Sequence, residues 1–596
     1  MQPTDTKNPD YFHKVVDCQW ACPAHTPVPE YIREIAAGNY TDAYMINWRS
    51  NVFPGILGRT CDRPCEPACR RGRVEEEPVA ICRLKRVAAD NKDDIRARLP
   101  SAPARRNGKK IACVGAGPAS LTVARDLAPL GYEIHVYDGE KQSAGMIRSQ
   151  IPRFRLPESV IDEEVGYITA IGNIELRLGR RIESLKALLA EDYDAIFVGS
   201  GAPRGRDLDI PGRKEAAKRI HIGIDWLSNV SFGHIHHIGK RVIVLGGGNT
   251  AMDCCRTARR LGGEDVKVIV RSGFEEMKAS PWEKEDAMHE GIPILNYLVP
   301  KAFTHANGKL TGVTFERVAA VYDDKGRRAL KPTGEPDEHY ECDDVLVAVG
   351  QENAFPWIER DIGLAFDKWD MPQVDPVTFQ STNPKVFFGG DAAFGPKNII
   401  WAVAHGHDAA ISIDKFVHGQ SVADRPPPMV TLVSQKMGIH EWAYDNDISA
   451  DLRYKVPLVD KDVALKDVRT EVELGFDKKL GYAEAQRCLN CDVQTVFSAP
   501  LCIECDACVD ICPMDCITFT ENGEEEDLRA RLNAPAQNKT QALYVSDALK
   551  TGRIMAKDED VCLHCGLCAE RCPTGAWDMQ RFTLDITHAD HRCQTR

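Results

Sequence analysis

Two cysteine runs near the C-terminus have spacing that implies chemistry: Cys502-x2-Cys505-x2-Cys508-x3-Cys512-Pro513 and Cys562-x2-Cys565-x2-Cys568-x3-Cys572-Pro573. This repeat places thiolates around a cubic [4Fe–4S] cluster, with the fourth cysteine of each run crossing to the other cluster. One set is therefore Cys502, Cys505, Cys508 and Cys572, and the other Cys562, Cys565, Cys568 and Cys512. The chain has 22 cysteines in all. A reducing cytoplasm keeps thiols free, so clustering of this kind points to metal ligation before disulfides. Six more cysteines lie between Cys18 and Cys82, and Cys488 with Cys491 forms a separate pair. Cys113, Cys254, Cys255, Cys342, Cys516 and Cys593 fall outside these patterns and read as small apolar residues.

Two glycine loops carry a second kind of chemistry. Ile111 to Val114 reads as a strand, and Gly115-x-Gly117-Pro118-Ala119-Ser120 follows it and opens a helix. Such a turn lets the backbone approach a pyrophosphate resting on the helix N-terminus. Asp138 closes the next strand, Ile134 to Tyr137, where an acid can hold ribose hydroxyls. The texture returns at Val242 to Leu245, which runs into Gly246-Gly247-Gly248-Asn249-Thr250-Ala251. There the equivalent strand, Val266 to Val270, ends at Arg271 with no acid, which by the general rule favours a 2′-phosphate and hence NADP.

The elements that must position these groups make a multidomain chain. At 596 residues it is too long for one core. Hydrophobic residues at 43% and charged residues at 27% are ordinary for a globular protein, and a net charge of -13 argues against a nucleic-acid footprint. The first ten residues lack an apolar signal core, and no stretch approaches the roughly 18 apolar residues of a membrane span. A cytoplasmic protein is expected. The fold class read from these patterns is α/β multidomain. A helical iron–sulfur domain covers residues 1–105, and a discontinuous Rossmann-like domain takes 106–235 with 352–420. A second Rossmann-like domain covers 236–351, and a linker 421–498 starts at the Pro426-Pro427-Pro428 run. A bacterial ferredoxin-like α+β domain at 499–596 completes the chain. It contains an acidic insert, Glu524-Glu525-Glu526-Asp527, that reads as a solvated loop.

Other features read as bland. His234, His236 and His237 lie in a Gly-flanked connection, and Cys254-Cys255 reads as helix packing because adjacent cysteines strain a disulfide. Arg70, Arg71 and Arg73 form a solvated or cluster-balancing patch. His405 and His407 pack a helix or lie near a cofactor.

Over about residues 15 to 420 the sequence resembles the FAD-dependent pyridine-nucleotide oxidoreductases typified by the glutamate synthase small subunit and the N-terminal part of dihydropyrimidine dehydrogenase. The resemblance rests on both loops, on GMIRSQIPRFRLP (Gly145 to Pro157) and GGGNTAMD (Gly246 to Asp253), and on Glu275-Glu276-Met277. It rests also on Ala348-Val349-Gly350-Gln351, Gly389-Gly390-Asp391 and Ala404-His405-Gly406. It implies FAD on the first loop, with Gly145, Arg148, Gly390 and Asp391 completing the site and the nicotinamide domain inserted between the FAD halves. NADPH-using members carry two consecutive arginines where this chain has Arg271-Ser272, which tips the expected nucleotide from NADP(H) to NADH.

The N-terminal cysteines resemble the family's cluster domain: Cys18-x3-Cys22-Pro23, then Cys61, Cys65 and Cys69, then Cys82. Two clusters are implied, but six thiols fall short of eight ligands, and the usual R-C-L-x-C phrase is missing ahead of Cys18. Arg487-Cys488-Leu489-Asn490-Cys491 supplies that phrase after the flavin domain. The expected sets are Cys18, Cys69, Cys488 and Cys491 for one cluster and Cys22, Cys61, Cys65 and Cys82 for the other, giving four [4Fe–4S] clusters per chain.

The expected function is an NAD(P)H:ferredoxin-type oxidoreductase. Hydride passes between nicotinamide and flavin with no catalytic acid–base residue, and single electrons pass through the clusters. A ferredoxin or catalytic subunit, such as a 2-oxoacid oxidoreductase, would be the partner in a hetero-oligomer, with no nucleic acid or membrane involved. The alternatives are the glutamate synthase small subunit and a non-enzymatic iron–sulfur electron wire.

Overall fold

The computed structural model describes the whole chain except residues 9–10, 12–14, 76, 439–440, 444–446, 522–524 and 592–596. Glu524 and Cys593 thus lie outside the described residues. The chain divides into two compact units. One comprises Met1–Ala97, Asp424–Val456 and Gly475–Arg596, and the other Arg98–Ala423 with Pro457–Leu474. Among the described residues no helix is long and apolar enough to cross a membrane.

The second of these units, here the nucleotide unit, contains two parallel five-stranded sheets. Short runs rich in β-branched residues form them because both faces of a parallel sheet are buried. The first sheet has the order Val386–Phe388, Ala195–Val198, Lys110–Val114, Glu133–Tyr137, Ile174–Arg177. Its outermost strand, Val386–Phe388, comes from far along the chain and pairs in parallel with Ile196–Val198. The second sheet has the order Ile220–Ile222, Asp344–Val347, Arg241–Leu245, Asp265–Ile269, Ile294–Leu295. It begins ahead of the boundary at 236 read from the sequence, because Ile220–Ile222 pairs with Val345–Val347. An antiparallel layer, Leu298–Ala306, Lys309–Tyr322, Arg328–Pro332 and Glu338–Glu341, interrupts the second sheet before its strand Asp344–Val347. Helix Ile399–Val417 packs on helix Pro118–Leu127 at a separation that only glycine permits. A Cβ on Gly406 would stand 2.6 Å from Thr122 Cβ and 2.7 Å from the Ala119 carbonyl oxygen.

In the other, the cluster unit, helices Val28–Ala36, Tyr40–Asn51, Pro54–Thr60 and Ile81–Asn91 carry the N-terminal cysteines. Its C-terminal part has two small antiparallel sheets. One has the order Met429–Ser434, Trp577–Asp585, Val493–Phe497, and the other Ile517–Thr520, Ile554–Lys557, Tyr544–Val545.

The stretch expected as a linker, 421–498, is divided between the units instead. Met429–Ser434 pairs with Trp577–Asp585. Residues 457–474 belong to the nucleotide unit, where Val472 and Ala464 pack on Phe154 and the Val472 N–H donates to the Phe154 carbonyl at 2.9 Å. Helix Lys478–Ala485 packs against Val28–Ala36 and Ile81–Asn91. The proline run interrupts structure for only a few residues, and apolar side chains on both sides of it find partners.

Candidate functional site

Three stretches distant in sequence converge on the N-terminus of helix Pro118–Leu127. Gly115 turns out of the first strand with φ +96°, and a Cβ there would lie 2.6 Å from the Gly199 carbonyl oxygen. Gly117 caps the helix, with Pro118 at its first position, where a missing N–H costs nothing. Gly145, at φ +51°, approaches so closely that its Cβ would meet Gly117 Cα at 3.1 Å. Gly390, at φ +61°, brings the Gly-Gly-Asp turn beside the helix, where a Cβ on it would stand 3.4 Å from the Ala119 methyl. The Ser120 hydroxyl is buried with no hydrogen-bond partner among the described residues. Free helix amides and an orphaned hydroxyl at a glycine turn fit a dinucleotide pyrophosphate.

Around this point the polar groups are already held. Asp138 accepts the Ala116 N–H at 2.7 Å and the Glu140 N–H at 2.8 Å, so it braces its own loop. Arg148 is buried and turned into the protein. It donates to the Ser143 carbonyl at 2.8 Å and pairs with Glu158 and Asp162, which makes it a brace for the Gly145 turn. Burial pushes the Asp391 carboxyl up to about 6. His405 accepts the Gly390 N–H at 3.2 Å through Nδ1, and burial lowers it to about 4, with Lys397 adding to the effect.

The second loop repeats the design. Gly246 has φ +146°, and its Cβ would lie 2.2 Å from the Ala348 carbonyl oxygen. Gly248 caps helix Asn249–Arg260 and has nothing within 4 Å of its Cβ position, leaving open space beside the helix start. Asn249 Oδ1 accepts the Ser280 N–H at 2.8 Å, and Thr250 is half-buried on the first turn. Arg271 is exposed and makes no hydrogen bond or ion pair among the described residues. Two ties connect stretches that the sequence singled out without pairing: Arg155 to Asp253 at 2.7 Å and Gln351 to Gln150 at 3.0 Å. A single sequence carries no signal for such a pairing.

The thiols gather into four groups. Cys18, Cys69, Cys488 and Cys491 line one cavity walled by Val28, Pro29, Ile32, Val79 and Ile81. The thiols of Cys61 and Cys65 both reach Cys82, and Cys22 joins them around Lys85. Cys512, Cys562, Cys565 and Cys568 line a second cavity. Cys505 and Cys572 lie within electrostatic reach of Cys502, and Cys508 within reach of Cys502 and Cys572. Cys516, expected as an apolar filler, lines the Cys562 cavity with its Sγ 3.5 Å from Cys512 Sγ.

One backbone device recurs in all four groups. Arg63, Asn490, Glu504 and His564 each lie two residues after a cysteine with φ between +50° and +56°. Each aims its N–H at that cysteine's sulfur: Arg63 to Cys61 at 3.4 Å, Glu504 to Cys502 at 3.3 Å, His564 to Cys562 at 3.4 Å, and Asn490 to Cys488. A left-handed non-glycine residue costs on the order of 1 kcal/mol or more, so its recurrence marks a function. An N–H aimed at sulfur favours the thiolate that a metal requires, so the donor set fits iron–sulfur ligation.

Buried ion pairs hold Cys488 and Cys491 against the N-terminal helices. The Arg487 guanidinium donates to the carbonyls of Asp451, Pro78 and Glu77 and pairs with Glu484 at 2.8 Å. Glu484 also accepts the Ala80 N–H at 2.7 Å and the Tyr454 N–H at 3.0 Å. Arg33 grips Asp492 with two bonds of 2.8 and 2.6 Å. Arg70 and Arg71, for which a solvated patch was one expectation, are 2% and 1% exposed. Arg71 donates to the Arg487 carbonyl at 3.1 Å. His234, His236 and His237 are exposed, while Cys254 and Cys255 are fully buried.

Comparison with known proteins assigns the class. Residues 109–406, half of the chain, match the family described as pyridine nucleotide-disulphide oxidoreductase. The chain belongs to that family. Residues 13–96 match dihydropyrimidine dehydrogenase domain II, 4Fe-4S cluster, and residues 501–576 match the 4Fe-4S dicluster domain. The chain is 34% identical over 506 residues to the NADP(+)-dependent formate dehydrogenase subunit beta of Moorella thermoacetica, covering 80% of this chain and 70% of that one. It is 31% identical over 533 residues to the NADPH-Fe(3+) oxidoreductase subunit beta of Geobacter sulfurreducens, covering 82% and 77%. The glutamate synthase [NADPH] small chain of Azospirillum brasilense is 31% identical over 428 residues, covering 68% of this chain and 87% of that one. This pyridine-nucleotide oxidoreductase is an FAD- and iron–sulfur-dependent enzyme.

Proposed function

We propose that the protein carries electrons between NADP(H) and a catalytic partner subunit, with FAD at the first glycine loop, the nicotinamide dinucleotide at the second, and four [4Fe–4S] clusters. Bound FAD would supply the exchange between hydride and single electrons, and the clusters would supply one-electron storage. Gly115, Gly117, Ala119 and Ser120 would hold the FAD pyrophosphate on the helix start, with Pro118, Gly145, Gly390 and Asp391 shaping the turn and Asp138 and Arg148 bracing it. Gly246, Gly248, Asn249 and Thr250 would receive the second dinucleotide. The cluster ligands would be the four groups of thiols described above. The observation that carries the reading is the shared cavity of Cys18, Cys69, Cys488 and Cys491, which brings the N-terminal thiols to the eight that two clusters need.

NADP(H) replaces the NADH suggested by Ser272. Arg271 is an unpaired exposed guanidinium able to take a 2′-phosphate on its own, and the three relatives carry NADP or NADPH in their names. A partner subunit is supported by the relatives being subunits or a small chain, with nothing that favours a 2-oxoacid oxidoreductase over other catalytic subunits. The glutamate synthase reading is weaker because that relative aligns with only 68% of this chain.

Anaerobic titration of the flavin absorbance tests the reading: NADPH should bleach it more readily than NADH, and Ser272→Arg should widen the preference. Absence of bleaching by either nucleotide in protein with bound FAD would refute it.

A further inference from the structure

A lysine is buried in the cluster unit with no carboxylate paired to it among the described residues. Lys85 lies on helix Ile81–Asn91 and is 4% exposed. Its only hydrogen bond runs from Nζ to Asn51 Oδ1 at 2.8 Å, and it makes no ion pair among the described residues. Asn51 is itself fully buried and donates to Thr26, whose hydroxyl is 3.4 Å from Cys22 Sγ. The second buried lysine of the unit differs. Lys557 is 0% exposed but pairs with Glu559 at 2.7 Å.

An isolated ammonium taken out of water costs several kcal/mol or more, which neutral amide bonding does not offset. A negative charge is therefore required beside it. Four thiols bear on the Lys85 charge: Cys82, Cys61, Cys22 and Cys65. Four thiolates around a cubic cluster leave the assembly net negative, and reduction adds one further electron to the same small volume. Coulomb attraction from a buried neighbouring cation then favours the reduced form more than the oxidised form.

We propose that Lys85 is the counter-charge of the cluster held by Cys22, Cys61, Cys65 and Cys82 and raises its reduction potential. The proposal rests on the ligand set put forward above. Lys85 acts through charge and is a tuning residue, not a ligand.

The test is an EPR-monitored redox titration of the full-length, cluster-loaded protein together with its iron content. Lys85→Met should keep its iron and make one cluster at least tenfold harder to reduce, about 59 mV for a one-electron couple. The affected signal should be the one abolished in Cys61→Ser with Cys82→Ser, and Lys85→Arg should stay near the unaltered protein. An unchanged midpoint in Lys85→Met with full iron would overturn the proposal. Loss of about four iron atoms in Lys85→Met that Lys85→Arg restores would support the same charge requirement, by the count of iron per cluster. Loss in both variants would overturn it in favour of a role in shape. Undiminished iron in the double cysteine variant would overturn the ligand set instead, a result separable from anything Lys85 does.

Discussion

The two units of this chain bury different things. In the nucleotide unit the two sheets are apolar: Ile111, Ala112, Ile196, Phe197, Phe387 and Phe388 fill the first, and Ile243, Val244, Val268 and Leu346 the second, while its buried charges, such as Arg256 with Glu290 at 2.9 Å, are already paired. In the cluster unit the centre is charged and sulfur-rich. It contains Arg33 with Asp492, Arg487 with Glu484, Lys557 with Glu559, the lone Lys85, and thiols that repel one another once ionised. A core of the first kind is stabilised by roughly 25 cal/mol for each Å² of apolar surface removed from water, whether or not a cofactor is bound. The second kind is indifferent or unfavourable until the negative clusters arrive, so metal binding is part of its folding free energy.

This contrast makes the two units respond to different substitutions. The largest effect is expected from Cys488→Ala with Cys491→Ala, which should lower iron from about sixteen to about twelve atoms per chain at four iron atoms per cluster. It should leave the C-terminal cluster signals intact, and undiminished iron would refute the shared-cavity assignment. Next, Glu484→Ala strands the fully buried Arg487, a loss of about 3–5 kcal/mol for a broken buried pair. In calorimetry only the cluster unit's transition should fall, and an equal drop in both transitions would break the contrast. The converse variant is Gly406→Ala, whose new methyl collides with Thr122 at 2.6 Å and should cost about 1–3 kcal/mol by overpacking. It should lower the nucleotide unit's transition and its flavin retention while iron stays constant. The smallest effect concerns His405. Its folded value of about 4 lies below the usual 6.5, so the unfolded chain binds the extra proton first. The stability tied to the neutral ring is full above pH 6.5 and is lost as pH falls toward 4, by up to about 3 kcal/mol at 1.36 kcal/mol per unit. His405→Gln, which keeps an acceptor for the Gly390 N–H, should flatten the melting profile of the nucleotide unit over that range. A profile as steep as that of the unaltered protein would show that other groups govern it.

Signals confined to a few adjacent residues were legible in the sequence. The glycine turns require backbone angles that other residues avoid, and the cysteine runs encode ligand geometry in their spacing, so both loops and the C-terminal sets could be read directly. The fold-back of Cys488 and Cys491 was legible only because Arg487 and Leu489 complete a familiar phrase; the bonds that hold it join residues about 400 positions apart. Ile220–Ile222 escaped notice because three residues carry no periodicity, and its place in the sheet depends on Val345–Val347. The split of 421–498 was hidden for a related reason: prolines advertise a break, whereas the partners of Met429–Ser434 and Val472 lie elsewhere in the chain. Asp138 and Arg148 were singled out from the sequence as cofactor-binding residues, but their bonds to backbone and to acids are tertiary facts. Lys85 gave no signal, since a buried lysine looks like any other until its surroundings are known.

The order in which the cluster unit's pieces occur along the chain has a consequence for how the protein is made. Cys18 and Cys488, which line the same cavity, are 470 positions apart, and the whole nucleotide sheet pair is encoded between them. At roughly 5–20 residues per second, about half a minute to a minute and a half separates the emergence of the first thiol from that of its last cavity-mate. Throughout that interval Arg33 lacks Asp492 and the Ala80 N–H lacks Glu484, while the nucleotide unit can already close around its apolar sheets. The residues around Cys18, translated well before the nucleotide unit, are thus among the last to find their native surroundings. With the proposed ligand set, iron delivered before Cys491 emerges would meet an incomplete cavity, so the loading of this site would wait on its most distant ligand and not on its first.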